Sequence, residues 1–199
     1  MTTYTTTVDA IEDNKEIEIL AKVENKVTFE NGDEKYRVRD ISANTFTLKL
    51  WASEADSYEF EVGQWYHFSK ALGDTFDDPQ IGSNHGDLEA EAKDSFSVDD
   101  IPIARPETSK EDIEDGEDID IIARVDNRNE FEDGNVILGT TGVDGGQFDL
   151  KLWNEEASQY DLEIGQWYLF IAAEGDTFDE PMITSNSGNM IEVPVSDIS

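Results

Sequence analysis

Hydrophobic and polar residues alternate with a period of two along most of this chain, and that pattern is typical of β-strands with one buried face. In the N-terminal half the alternation stops at Asn31-Gly32-Asp33 and at Ser42-Ala43-Asn44, where the residues favour turns. A short stretch of good helix formers, Ser53–Tyr58, interrupts it once more. The pattern predicts five strands in this half: Ile17–Val23, Lys35–Ile41, Phe46–Trp51, Trp65–Leu72 and a last strand from Gln80 onward.

The C-terminal half repeats the N-terminal half at a constant offset of 102 residues. Leu48-Lys49-Leu50-Trp51 recurs as Leu150-Lys151-Leu152-Trp153, and Gly73–Asp77 recurs as Gly175–Asp179. Aligned without a gap, residues 11–86 and 113–188 are identical at 36 of 76 positions, which is far more than chance produces. The chain therefore consists of two copies of one domain.

The order of the predicted elements indicates a fold class. Five strands with a short helix between the third and the fourth follow the order of the OB fold. A β-sandwich would need about seven strands in a domain of this size, and the pattern does not provide them. We therefore predict an all-β chain of two tandem five-stranded OB-fold barrels, each with a short helix between strands 3 and 4. Copy one covers residues 1–94, a Pro-containing acidic linker covers 95–112, and copy two covers 113–199.

The composition excludes several kinds of catalytic and metal site. The 199 residues include no Cys and two His, so disulfides, thiolate metal sites and a cysteine nucleophile are excluded. The chain contains no Gly-rich phosphate loop and no nucleophile elbow. We expect no enzymatic activity, no metal and no cofactor. No apolar run reaches about 18 residues, so we also expect no membrane span.

The acidic charge is large and is spread over the whole chain. There are 47 Asp and Glu against 14 Lys and Arg, which gives a net charge of −33. Self-repulsion destabilises a compact fold unless salt screens it, and at about 1 M salt the Debye length is roughly 3 Å. The composition resembles that of proteins from halophilic archaea and their viruses, so we expect a salt-rich cytoplasm. A chain that mimics the charge of DNA is the competing interpretation, and acidity alone does not decide between the two.

One face of copy one departs from the acidic trend. If Phe46, Leu48 and Leu50 fill the barrel, the residues between them point outward. The segment from 22 to 49 holds six basic and five acidic residues. Basic residues beside an exposed aromatic ring suit single-stranded nucleic acid, because phosphates pair with the cations and bases stack on the ring. The predicted outer face of the first three strands carries Lys22, Lys35, Arg37, Arg39, Lys49 and Trp51, with Lys26 beside it in the first loop.

Copy two keeps only part of this face. Ile137, Gly139 and Thr141 replace the three basic residues of the second strand. The segment from 124 to 151 holds three basic and six acidic residues. We therefore predict that copy one is the stronger site and copy two an auxiliary one. The predicted binding residues that remain in copy two are Arg124, Arg128, Lys151 and Trp153.

These residues resemble the DNA-binding domains of replication protein A, the single-stranded DNA-binding protein of archaea and eukaryotes. The resemblance covers about residues 9–90 and 111–195 and implies that Trp51 and Trp153 stack on bases. It also implies a second stacking aromatic on the hairpin between strands four and five, for which Phe76 and Phe178 are the nearest candidates. The segments that carry it are Ile19–Lys26, Leu48–Ala55, Val62–Lys70 and Leu150–Ala157.

We expect sequence-tolerant binding of single-stranded DNA, with RNA as an alternative ligand, in replication or repair and together with proteins of those processes. Two other functions stay open at this point. A tandem OB module can bind a protein partner through the same faces, in a viral particle or a replication complex, and an acidic chain can act as a DNA mimic. The two tryptophans could instead cap a barrel end or lie buried between the copies, and the two loop phenylalanines could pack on their own hairpins.

Overall fold

The computed structural model describes residues 7–98, 101, 106–107, 109–196 and 198. The chain divides into two compact units, residues 1–94 and 95–199. None of the helices among the described residues is long and apolar enough to cross a membrane.

The first unit is built almost entirely of strands. A single 3₁₀ turn, Val8–Ala10, precedes the first strand, and another, Asn84–Gly86, lies between the last two. The elements in chain order are β1 (Glu16–Thr28), β2 (Glu34–Asp40), β3 (Thr45–Leu50), α1 (Ala52–Ala55), β4 (Trp65–Asp74), β5 (Gln80–Gly82) and β6 (Glu89–Lys93).

The strands of this unit close into a barrel. Their order is β1-β2-β3-β5-β4, and β4 pairs with β1 to complete the ring. All of these pairs are antiparallel except β3 with β5, which is parallel. A closed barrel of five strands with a helix after the third is the OB fold. The strand β6 pairs with β4 outside the ring.

The second unit repeats this architecture. The ring order is β8-β9-β10-β12-β11 and closes through β11 with β8. The chain is therefore a tandem pair of OB folds, as the strand pattern predicted. The elements are β7 (Phe96–Ser97), β8 (Asp118–Glu130), β9 (Val136–Gly142), β10 (Gln147–Leu152), α2 (Asn154–Ala157), β11 (Trp167–Asp176), β12 (Met182–Thr184) and β13 (Ile191–Ser196).

Each barrel has its own hydrophobic core. Alternate residues of the ring strands point inward and are buried, among them Tyr36, Leu48 and Phe68 in the first barrel. Leu150 and Phe170 take two of the equivalent places in the second. Because side chains alternate along a strand, this burial fixes which residues of the same strands face outward.

The segment 95–112, predicted as a linker, is described only in part. Phe96–Ser97 forms β7, which runs parallel to β13 in the second unit. Glu107 forms a single bridge with Ile121, and Lys110–Asp112 form one 3₁₀ turn. The prediction of an extended tether at Pro102 falls outside the described residues.

Several element boundaries differ from the alternation pattern. The strand β1 continues to Thr28, beyond the predicted end at Val23, and contains a bulge between Val23 and Asn25. The helix is a single turn, Ala52–Ala55. The predicted fifth strand is split into β5 and β6 by the 3₁₀ turn at Asn84–Gly86.

Candidate nucleic-acid interface

Trp51 lies at the junction between β3 and α1, and its side chain is 52% exposed. Its carbonyl oxygen accepts hydrogen bonds from the backbone N–H groups of Glu54 (2.8 Å) and Ala55 (2.9 Å). The next N–H, that of Ala52, donates to the carboxylate of Asp33 in the β1–β2 turn (2.9 Å). The backbone on both sides of the exposed indole is therefore fixed, which lowers the entropy lost when a ligand stacks on the ring.

Lys49 points out of the barrel on the same face as Trp51. Its Nζ lies 3.5 Å from the centroid of the indole ring. An ammonium over an aromatic face is attracted by the ring quadrupole. Lys49 makes no ion pair with any described residue, so one face of the ring carries a positive charge that an acidic side chain does not neutralise.

The second barrel repeats this pair. Trp153 is 43% exposed, and the Nζ of Lys151 lies 3.6 Å from the centroid of its ring. Asn135 replaces the capping aspartate and accepts a hydrogen bond from the backbone N–H of Asn154 (3.0 Å). The predicted exposure of both tryptophans is observed, and within its own unit neither ring is sealed in the barrel.

A cleft of about 440 Å³ opens beside Trp51 in the first barrel. Lys49, Phe76, Gln80 and Gly82 are among the residues that line it. The structure thus brings together Trp51, which follows β3, and Phe76 of the β4–β5 hairpin, the two aromatic residues predicted to stack on bases in copy one.

The loop phenylalanines project from their hairpins. Phe76 is 89% exposed and Phe178 is 90% exposed, so neither packs on its own hairpin. The backbone N–H of each donates to an aspartate two residues earlier, Asp74 or Asp176, at 2.9 Å. These hydrogen bonds order the backbone of the two loops and leave the phenylalanine rings accessible.

The predicted basic face is not a row of free cations. Glu24 on β1 pairs with both arginines of β2, at 3.1 Å to Arg37 and 2.5 Å to Arg39. Arg37 remains largely exposed, whereas Arg39 is mostly covered. A phosphate that binds either guanidinium must compete with this carboxylate.

Lys26 lies on the other side of the sheet from the predicted basic face. The bulge places Glu24 as an extra residue in β1, and beyond it Lys26 is opposite Tyr36, whose side chain points into the barrel. Lys26 pairs with Glu34 (2.8 Å), and its Nζ lies 5.3 Å from the Tyr36 ring centroid. The expectation that Lys26 extends the basic face from the first loop is therefore wrong.

The ion pair of Lys26 and Glu34 has a visible effect on both pKa values. The hydrogen bond to Glu34 raises the pKa of Lys26 above 10.5. Burial pushes the pKa of Glu34 upward, but hydrogen bonds from Lys26 and Tyr36 outweigh it, and the pKa lies below its ordinary value. Both groups therefore stay charged over the neutral range, and Lys26 is committed to this pair.

Two lysines of the predicted face lie where the strand pattern placed them. Lys35 on β2 is directly opposite Lys49 on β3, and Lys22 on β1 is opposite Arg39 on β2. The Nζ of Lys35 lies 5.8 Å from the centroid of Phe29, an exposed ring beyond the end of β1. Phe29 was not singled out from the sequence, although its recurrence as Phe131 in copy two is a signal that could have identified it.

The arginines of the second barrel are also paired. Arg124 binds Asp126 at 2.7 Å, and Arg128 binds Glu130 at 2.8 Å. Burial raises the pKa of Asp126, but hydrogen bonds from Thr141 and Arg124 outweigh it and lower the pKa below its ordinary value. Beyond the bulge in β8, Arg128 lies opposite Leu138, whose side chain is buried in the barrel, so the expectation that Arg128 belongs to the outer face is wrong, as it is for Lys26. Of the residues predicted on this face of copy two, Lys151 and Trp153 are those without an ion pair to a described residue. Among the described residues no group of three or more His, Asp or Glu is placed to hold a metal ion.

No protein-family model matches the chain, and no curated protein is similar to it in sequence. Several solved structures resemble it. A replication protein A heterotrimer bound to single-stranded DNA is 15% identical, with a TM-score of 0.44 over 98% of this chain and 52% of that one. The OB domain of MM0293 from Methanosarcina mazei is 17% identical, with a TM-score of 0.41 over 48% of this chain and 87% of that one. Fission yeast Pot1 with single-stranded DNA is 11% identical, with a TM-score of 0.36 over 96% and 87%.

Proposed function

We propose that the chain binds single-stranded DNA without strong sequence preference, and that each barrel contributes one indole ring on which a base stacks. The observation that carries the proposal is the same in both units. An exposed tryptophan follows the third ring strand, and a lysine two residues earlier places its ammonium on one ring face. Every base has a face that can stack on a ring, so such binding tolerates sequence.

Phe76 supplies a second ring to the site of the first barrel. Phe76 lines the same cleft as Trp51, and its 89% exposure leaves the ring free to meet a neighbouring base. Base stacking on an aromatic side chain contributes about 1–3 kcal/mol per base. Two rings in one cleft can therefore hold a short stretch of strand even where the surrounding cations are paired with carboxylates.

The net charge of −33 fits this mode of binding in a salt-rich cytoplasm, of a halophile or of a host infected by its virus. Counterion release contributes little when salt is concentrated, because affinity based on phosphate contacts falls steeply with salt. Stacking is less sensitive to screening, so it supplies most of the free energy of binding. In this proposal the chain acts as a binding protein in replication or repair and catalyses no reaction.

The intrinsic tryptophan fluorescence of the protein tests the proposal. Titration in concentrated KCl with oligo-dT should quench the emission and reach saturation, since a base stacked on an indole quenches it. A duplex of the same length is the control and should leave the emission nearly unchanged. Titration with oligo-U asks whether RNA is accepted. Unchanged emission with oligo-dT, or equal binding of the duplex, would contradict the proposal.

A protein partner is the second candidate for copy two. Phe131 at its β8–β9 turn is 50% exposed, Ile137 on the outer face is half-buried, and Arg124 of the same face is ion-paired with Asp126. An apolar face with few free cations suits a protein better than a phosphate backbone. If Trp153→Ala leaves the affinity for oligo-dT unchanged, this role for copy two is favoured over nucleic-acid binding.

A further inference from the structure

The two barrels differ at the floor of the cleft next to the indole. In the first barrel the parallel pairing of β3 with β5 places Gly82 opposite Lys49. The antiparallel pairing of β4 with β5 places Leu72 opposite the same glycine. Ile81, the residue before Gly82 on β5, is buried in the barrel, so Gly82 and its partner Leu72 face outward. Both line the cleft.

The floor residues Gly82 and Leu72 of the first cleft carry no charge, although Asp13, Glu54 and Asp74 also line the cleft. Gly82 has no side chain, and among the described residues a Cβ added there would meet only the carbonyl oxygen of Lys49, at 3.5 Å. The space of the cleft therefore reaches the backbone at Gly82. Leu72 provides an apolar surface at the far side of that space, and Gln80 provides an amide at its edge.

The equivalent floor of the second barrel is filled and charged. Thr184 stands where the first barrel has Gly82, opposite Lys151, and its side chain is buried. Its Oγ1 accepts a hydrogen bond from the backbone N–H of Asn186 at 3.2 Å, which holds the side chain in place. Glu174 stands where the first barrel has Leu72, directly opposite Thr184.

We infer that Gly82 and Leu72 make the first cleft a pocket for one nucleobase, and that Thr184 and Glu174 close the matching position in the second barrel. The inference rests on the proposed function. A base that stacks on Trp51 can extend its edge over Gly82 and rest against Leu72. Beside Trp153 the threonine side chain already fills that position, and the glutamate carboxylate repels the attached phosphate.

This difference assigns separate roles to the barrels. The first barrel holds a base in a pocket and anchors the strand, and the second offers a ring on an open surface. The stronger binding of copy one then follows from the shape of the floor, in addition to its larger number of basic residues. Shape does not depend on ionic strength, so the difference in affinity persists in concentrated salt.

Exchange of the floor residues between the barrels tests the inference. The full chain is used throughout, and the tryptophan of the other barrel is replaced by alanine so that binding reports on one barrel at a time. In a Trp153→Ala background, Gly82→Thr should weaken binding of fluorescent oligo-dT in concentrated KCl by about 10-fold, within the range that loss of one stacked base produces. Gly82→Ala should weaken it less. In a Trp51→Ala background, Thr184→Gly combined with Glu174→Leu should strengthen binding several-fold.

The outcomes separate this inference from the proposed function. Thermal unfolding should show that Gly82→Thr still folds, because the added Cβ makes an ordinary van der Waals contact with the carbonyl oxygen of Lys49 and the second barrel folds with threonine at this position. If Gly82→Thr binds like its parent while Trp51→Ala binds more weakly, the base lies on the indole away from the floor; the inference is then wrong and the proposed function stands. If oligo-dT does not bind even the unmutated chain, both are wrong.

Discussion

The ammonium of Lys49 lies 3.5 Å from the centre of the Trp51 ring, and Lys151 lies 3.6 Å from that of Trp153. The lysine covers one ring face; in the proposed binding mode a base stacks on the other face, and the same ammonium meets a phosphate. A cation over an exposed ring contributes about 0.5–1 kcal/mol. The Lys–Trp pair therefore contributes to the proposed binding free energy in two ways. The contact between lysine and phosphate is screened by salt, and the stacking of the base on the indole is not.

The variant Lys49→Met separates the phosphate contact from base stacking, since it keeps most of the length of the side chain and removes its charge. We expect weaker binding of oligo-dT at 0.1 M KCl by a few-fold, and almost no change at about 2 M KCl, where the phosphate contact is screened. Fluorescence anisotropy at the two salt concentrations measures this. An equal loss at both concentrations would show that Lys49 acts through the position of the ring.

Glu24→Gln should release the two arginines of β2. Glu24 accepts ion pairs from Arg37 and Arg39, and the amide cannot hold either guanidinium by charge. We expect tighter binding at low salt, with a plot of log K against log salt that becomes steeper by about 0.7 for each phosphate gained. Asp126→Asn is the matched variant in copy two and should act in the same direction through Arg124. Unchanged slopes in both variants would mean that these arginines do not meet phosphate.

Gly73→Ala should destabilise the first barrel. A Cβ at Gly73 would clash with the backbone oxygen of Glu12, because the segment before β1 crosses closely there. Such crowding costs about 1–3 kcal/mol in free energy of unfolding. Gly82→Ala is the control, since its Cβ would make an ordinary van der Waals contact, at 3.5 Å from the carbonyl oxygen of Lys49. Urea unfolding measures both variants, and a Gly73→Ala protein as stable as Gly82→Ala would contradict the crowded crossing.

His67 should make the stability depend on pH. Burial lowers its pKa below 6.5, against the opposing effect of Glu18 on β1, and Lys93 and Glu91 on β6 also act on it. As the pH falls below 6.5, the unfolded chain takes up a proton before the folded chain does. The contribution of His67 is thus complete above pH 6.5 and is lost as the pH falls toward the folded pKa.

His67→Leu, which introduces the residue of copy two at this position, removes that proton uptake. Urea unfolding at pH 7.5 and pH 5 in the same KCl concentration should show a smaller loss of stability in the variant than in the unmutated protein. Parallel losses in the two proteins would show that the carboxylates alone cause the acid sensitivity.

The sequence predicted most of the fold because alternation reports burial directly. Phe46, Leu48 and Leu50 are buried where the pattern placed them, and Trp51 is exposed on the opposite face, as the pattern predicted. Lys26 was misplaced because the bulge at Glu24 shifts the register by one residue, and a bulge leaves no mark in a simple alternation.

The contacts between side chains of the candidate nucleic-acid interface could not be predicted from the sequence pattern. Glu24 reaches the arginines of β2 only through the register of the β1–β2 pair. Gly82 lies beside Lys49 because β5 runs parallel to β3 after a long connection. Such pairings between distant segments depend on the closed barrel, and no local pattern specifies them.

The affinity of Trp51→Ala for oligo-dT in about 2 M KCl tests the central claim most directly. Since stacking contributes about 1–3 kcal/mol per base, we expect a loss of about 5- to 150-fold, and Trp51→Phe should recover most of it. Circular dichroism would establish that both variants remain folded. Affinity equal to that of the unmutated protein in Trp51→Ala, and in the double variant with Trp153→Ala, would show that the indoles do not bind the bases.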